Sequence, residues 1–564
     1  MRKHSVNLII GLCVAATLSS CAGRAVTGGS GTHPAPLLAG ASIAVVETDR
    51  GRVAGYIDDG VYIYKGIPYA EADRFMPPHD VTPWEGVRSC RYYGPVCPQE
   101  VRGGWADDAS AFCNHWNDGN PGEDCLRVNV WTRSINGTDG KKRPVMVWIH
   151  GGGFSAGNGQ EHDCYDGRSL ASTDEVVVVS LNHRLNVLGH LDLSAFGDKY
   201  KYSGNVGILD IVAALKWVQR NIAQFGGDPS NVTIFGQSGG GGKVSTLMAM
   251  PSARGLFHKA ITQSGAHLEN MQAKWSRKIG ITTLDLLGIP AGRIDEIQSV
   301  PYERLLEAGN KAISLVKAEA KVAGEADIFL FGWSPTVDGD LLPKDPYRGG
   351  GNECSRDVPM LVGSCLHEIA LSSYVLSHGR ESTMEETRPL LERFLGKNVD
   401  RYIEAVAQAY PDYVPADLLD LDAMFRPNCV EQCRVQAAMG GAPVYNYLFC
   451  WESPILDYRN RSSHCMEIPF VMRNIHLARE MTGGGEDAYQ LSDLMSRAWI
   501  AFAKTGNPNV EGLPNWEPYN DETRPCMLFN NTCRMAYGHD SAWLEAVKST
   551  GFANIFSASN IFGV

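Results

Sequence analysis

A strand that runs directly into a serine set among glycines, and then into a helix, restricts this chain more than any other feature. Val232-Thr233-Ile234-Phe235 is a short apolar run that meets Gly236-Gln237-Ser238-Gly239-Gly240, and a helical stretch around Ser245 to Met250 follows. Gly-x-Ser-x-Gly in this setting fits a sharp turn that strains the serine backbone and keeps its neighbours small, because two chain segments nearly touch there. The pentapeptide alone would also serve as a flexible turn. The strand before it, the helix after it and a separate Gly151-Gly152-Gly153 turn favour a nucleophile at Ser238. The glycines continue to Gly242-Lys243, but a phosphate-binding loop would need glycine at 237 and serine or threonine at 244. The chain has Gln237 and Val244, so that reading fails.

Three other apolar runs set the architecture. Val145 to Ile149 empties into His150 and the glycine turn, Val176 to Val179 ends at Ser180, and Pro359 to Val362 precedes Gly363 and Glu368. Helical segments such as Ile208 to Gln224 lie between them, an alternation that predicts an α/β fold with a large, mostly parallel central sheet flanked by helices. Neither an internal repeat nor a second linker interrupts residues 42 to 550, which read as one domain with a tail over 551 to 564. In such a sheet the chemistry gathers at the carboxyl ends of the strands.

Charge and termini narrow the partners. The 63 acidic and 51 basic residues give a net charge of −12, with no basic cluster of the kind that nucleic acid requires. The longest apolar stretch, Leu8 to Leu18, is too short to span a bilayer as a helix. Arg2 and Lys3 precede it and small residues follow, as in an export signal over residues 1 to 20. Leu18-Ser19-Ser20-Cys21 resembles a bacterial lipobox, which makes Cys21 the expected lipid anchor and an exported, membrane-tethered lipoprotein the expected product. A soluble exported form is the alternative, and residues 21 to 41 have the composition of a tether. Cleavage at the lipobox would remove Arg2 and Lys3 and leave a net charge of −14.

Of fifteen cysteines, Cys13 falls in the export segment and Cys21 on lipid, leaving an odd thirteen in the body. Export favours disulfides over thiols. Cys429-x-x-x-Cys433 lacks a nearby pair to complete a tetrahedral set, so no metal is expected; the two cysteines suit one turn of a helix opening near Asn428. Cys526 and Cys533 bracket Asn530-Asn531 and could pair across a hairpin.

A serine nucleophile needs a base, and the base needs a carboxylate to hold its tautomer. At this point the chain, from about Ile43 to Tyr537, resembles the type-B carboxylesterase and cholinesterase family of α/β-hydrolases. The resemblance rests on Glu123-Asp124-Cys125-Leu126, Asn182-His183-Arg184-Leu185, Asp210, Phe225-Gly226-Gly227-Asp228-Pro229, Val337-Asp338-Gly339, His464-x-x-Glu467-Ile468-Pro469-Phe470 and Phe502 to Asn509. It implies a triad of Ser238, Glu368 and His464, with Asp338 as the rival acid. It also implies an oxyanion hole from the amides of Gly152, Gly153 and Gly239, a disulfide between Cys97 and Cys125, and no cofactor. The expected substrate is a small carboxylic ester, cleaved through an acyl-enzyme on Ser238. An amidase or lactonase would use the same triad, and a non-catalytic binding protein is the alternative of another class. His150 and His367 read as packing or hydrogen-bonding neighbours.

By the same resemblance, Phe329 and Phe331 stand where cholinesterases narrow the acyl pocket, although both rings also suit a core. Trp116 lies loosely where those enzymes bind quaternary ammonium. Gln237 replaces their glutamate, which points to neutral esters. Glycines from Gly239 to Gly242 stand at a helix start that they weaken by about 1 kcal/mol each relative to alanine. Either close packing or a roomy site is expected to compensate.

Overall fold

The structure is a computed structural model that describes residues 35–100, 108–325 and 332–550. The export segment, Cys21, Phe329 and Phe331 lie outside the described residues. Eleven strands form the main sheet: β1 (Tyr56–Asp58), β2 (Val61–Pro68), β3 (Arg127–Thr132), β4 (Arg143–Ile149), β5 (Val177–Leu181), β6 (Gly227–Gln237), β7 (Lys259–Gln263), β8 (Met360–Cys365), β9 (Val444–Phe449), β10 (Pro525–Phe529) and β11 (Arg534–Tyr537). Their spatial order is β11-β10-β9-β8-β7-β6-β4-β5-β3-β2-β1. The block from β5 to β10 is parallel, and antiparallel strands close both edges. Strands β5, β7, β8, β9 and β10 are buried along their whole length, as a parallel sheet covered on both faces requires.

The strand order reverses around β4, whose neighbours are β5 on one side and β6 on the other. Ile149 of β4 pairs with Gly236 of β6, so the His150 glycine turn and Ser238 emerge side by side from adjacent strand ends. This is where the topology of an open α/β sheet leaves a crevice.

Local differences from the sequence reading have physical causes. The helix after Ser238 spans Gly239–Leu247 and starts at the first glycine, because packing against the sheet overrides the weak propensity of that residue. The Cys429 helix spans Arg426–Ala438 and opens early because the Asp422 carboxylate caps it, accepting from the amides of Met424, Phe425 and Arg426 at 2.9, 2.9 and 2.7 Å. The presumed tether ends sooner than residue 41, since Leu38 and Ile57 exchange two backbone hydrogen bonds of 2.8 Å. The expected Cys97–Cys125 disulfide is not formed. Both are buried free thiols, and the Cys97 sulfur accepts from Leu185 N–H at 3.2 Å. Cys526 and Cys533 do flank a β10–β11 hairpin but are also free, one buried beside Arg426 and the other donating to Asn530 O at 3.5 Å.

Arg184 and Asp210, distant in sequence, form a bidentate ion pair of 2.7 and 2.8 Å that is almost wholly buried, and Arg184 also donates to Asp73 O at 3.0 Å. Removing one partner strands the other charge in a low-dielectric interior. Asp210→Ala is expected to lower unfolding stability by about 3–5 kcal/mol in urea titrations. Asp340→Ala, which breaks the solvent-exposed pair with Lys201, should leave the unfolding midpoint almost unchanged in the same titration.

Candidate active site

Ser238 sits between β6 and its helix with φ 57° and ψ −127°, a strained conformation for a residue with a side chain, costing about 1–3 kcal/mol. Two backbone bonds hold it there: Ser238 N–H donates to Gln263 O at 2.8 Å, and Ser238 O accepts from Gly242 N–H at 3.1 Å. The glycines show why the turn tolerates no side chains. A Cβ on Gly239 would overlap the backbone of Gly153, one on Gly240 would overlap Ile149 O, and one on Gly241 would lie 2.9 Å from Gly265 Cα. Only at Gly242 is the nearest neighbour, the Phe154 ring, as far as 3.4 Å. Close packing, not a roomy site, therefore explains the glycine run.

The glycine turn is left-handed at Gly152 and Gly153, φ 78° and 61°. Gly152 O accepts from Ser155 and Ala156, while the N–H groups of Gly152 and Gly153 have no backbone acceptor among the described residues. The first N–H of the Gly239 helix is an orphan by geometry. Three amides therefore stand unpaired where two segments touch, a ready receptor for negative charge.

His464 approaches from the far side. Its backbone N–H donates to Glu368 O at 2.9 Å, and its Nδ1 hydrogen-bonds to Glu368 Oε2 at 2.5 Å. Glu368 Oε1 accepts from Cys365 N–H at 2.8 Å, which fixes the carboxylate at the end of β8. The ring stacks on Phe425 with centroids 5.0 Å apart, and the Gln237 amide lies 3.3 Å from both ring nitrogens. Burial opposes charge on this imidazole, but the Glu368 carboxylate and its hydrogen bond, followed by Glu467 and Asp422, outweigh it and raise the pKa above the ordinary value. The side chain remains 24% exposed, so it can meet a bound molecule.

Phe425, Asp422 and Glu467 were not assigned roles from sequence. Burial, and then the charge of Glu368, push Asp422 up to about 8 against three backbone donors. Glu467 accepts from Gln263 Nε2 and the Cys365 thiol, both at 3.2 Å, and is raised by burial and by Glu368. Glu467 lay in a motif that could have flagged it. Asp422 and Phe425 are brought to the imidazole only by the tertiary fold.

Asp338 makes a turn instead, accepting from the amides of Asp340 and Leu342 and from Asn205. His367 donates into a buried network with Ser462 and Asp417, which Arg461 completes. His150 is buried, stacked on His183 at 5.0 Å, and burial holds its pKa well below the usual range. Half-buried Trp116 packs edge-on against His162, 5.6 Å between centroids. Among the described residues no cluster of three or more potential ligands could hold a metal, and no helix is long and apolar enough to cross a membrane.

This geometry has relatives. The carboxylesterase family model matches residues 42–543. The para-nitrobenzyl esterase of Bacillus subtilis is 37% identical over 494 residues, 86% of this chain and 95% of that one. A solved esterase from the anaerobe Clostridium hathewayi, described as able to hydrolyse aliphatic aromatic polyesters, superposes with a TM-score of 0.82 at 37% identity. It covers 91% of this chain and 99% of its own. A carboxylesterase of Geobacillus stearothermophilus gives 0.69 at 34%, covering 89% and 100%. The chain belongs to the carboxylesterase family of α/β-hydrolases. It is a carboxylic ester hydrolase, and the non-catalytic alternative falls away.

The glycine contacts separate two outwardly equal changes. Gly240→Ala is expected to abolish activity or folding, because its methyl meets backbone that cannot retreat. Gly242→Ala should leave kcat within about twofold and add up to about 1 kcal/mol of stability, as read by esterase assay and thermal unfolding.

Proposed function

We propose that Ser238 is the nucleophile of this ester hydrolase, His464 its general base and Glu368 the residue that orients the base. The observation that carries the assignment is the 2.5 Å Nδ1–carboxylate bond, at an imidazole set beside the strained serine turn and its unpaired glycine amides. With Nδ1–H donated to Glu368, Nε2 is the unprotonated nitrogen and takes the Ser238 proton as Oγ attacks the ester carbonyl, once the Gln237 amide beside it gives way. The tetrahedral oxyanion is received by Gly152, Gly153 and Gly239 N–H. The alcohol departs with the proton from His464, and water activated by the same ring releases the acid.

Neutral esters are the proposed substrates. Gln237 brings no charge to the base. A cleft of about 320 Å³ beside the glycine turn is lined by Ser155, Ala156, Leu306 and Trp333 with one carboxylate, Glu100, which disfavours anionic substrates. Hydrolysis of p-nitrophenyl acetate should disappear in Ser238→Ala; equal rates in both proteins would refute the assignment. Because the imidazole pKa is raised, protonation silences the base already above pH 6.5, so the acid limb of kcat/KM should lie above that ordinary value. Glu368→Gln should move the limb to lower pH and cut kcat by about 10³- to 10⁴-fold.

The proposed setting is the cell envelope, with lipid on Cys21, supported by the charge, apolar and small-residue order of the first twenty residues. Cys21→Ser is expected to free the protein from the membrane fraction, and continued attachment through the N-terminus would contradict the anchor.

A further inference from the structure

Lys243 closes the glycine run but has no phosphate loop to serve. It lies one turn into the Gly239–Leu247 helix and is fully buried, an expensive location for an ammonium unless partners hold it. Its Nζ donates to His150 O at 2.9 Å and to Gly151 O at 3.2 Å, the two carbonyls that lead into the glycine turn. The Phe154 ring lies 6.0 Å away. The charge of Lys243 also acts on the buried imidazoles of His150, His183 and His190, which burial drives toward the neutral form. Burial lowers the lysine's own pKa to about 7, opposed by the field of Glu161, whose Oε1 accepts from Tyr165 OH.

We propose that Lys243 is a positioning residue of the oxyanion hole: bonded to the carbonyls of His150 and Gly151, it fixes and polarises the peptide that presents the Gly152 N–H to the substrate. The Gly151 carbonyl and the Gly152 N–H belong to one peptide unit. A hydrogen bond at the oxygen draws electron density through the amide and leaves its N–H a stronger donor, the more so while the amine holds its third proton. His150 Nδ1 lies 3.1 Å from the same oxygen, so the carbonyl is held from two sides. The lysine also ties the helix that carries Ser238 to the turn that receives the oxyanion, so donor and nucleophile keep a fixed separation. Only interactions that strengthen as charge develops accelerate the reaction, and this one grows with the charge on the substrate oxygen.

The inference rests on the Ser238 reading, and one set of assays separates the two. Lys243→Met, folded by near-ultraviolet circular dichroism, is expected to lose about 10- to 100-fold in kcat on p-nitrophenyl acetate, less than removal of a whole donor. Its KM should stay within about threefold. Affinity for a trifluoromethyl ketone, which adds to Ser238 as a tetrahedral oxyanion, should fall in parallel with kcat/KM. If Met at 243 prevents folding, Lys243→Gln is measured by the same two readouts, with a smaller parallel loss expected. A folded variant with wild-type kcat, or one that loses KM and ketone affinity equally with kcat unchanged, would overturn the role of Lys243. Wild-type hydrolysis by Ser238→Ala would instead overturn the reading on which it stands.

Discussion

The contact on which this molecule depends is backbone against backbone: the start of the Gly239 helix pressed onto the end of β4 and the turn that follows. Nothing larger than hydrogen fits at Gly239 or Gly240. That proximity puts the Ser238 turn beside the unpaired amides, and its cost in helix propensity is offset by burial of the whole helix against the sheet. The same contact explains why Ser238 must hold a left-handed backbone. Relaxing it would swing the hydroxyl away from the amides and separate the two segments.

Charge around the base follows from the same compactness. Glu368, Glu467 and Asp422 all act on one imidazole, and each of the latter two is raised by burial and by Glu368. Crowding carboxyls in this way favours a proton on the His464 ring. Gln237, whose amide lies 3.3 Å from both ring nitrogens, adds no charge of its own.

Much of this was legible in sequence, and the reasons can be named. Strands β4, β5, β6 and β8 appear as apolar runs because a buried parallel sheet demands them, and Ser238 is announced by glycines with no conformational substitute. Glu368 and His464 were reached through the family resemblance, since no local pattern ties residues 130 and 226 positions downstream to Ser238. Phe425 and Asp422 escaped notice because an aromatic beside a helix start is ordinary until the chain folds it over an imidazole. The cysteines misled: an exported composition argues for bridges, yet Cys97 and Cys125 stand as buried free thiols.

One turn of chain serves two masters at Asp422. Its carboxylate caps the Arg426–Ala438 helix, and three residues on, Phe425 roofs the His464 imidazole. Fraying of that helix end would lift the roof and let the ring tumble while the sheet beneath stayed intact. Thermal inactivation would then begin as a local melting, with catalytic alignment vanishing before the scaffold does.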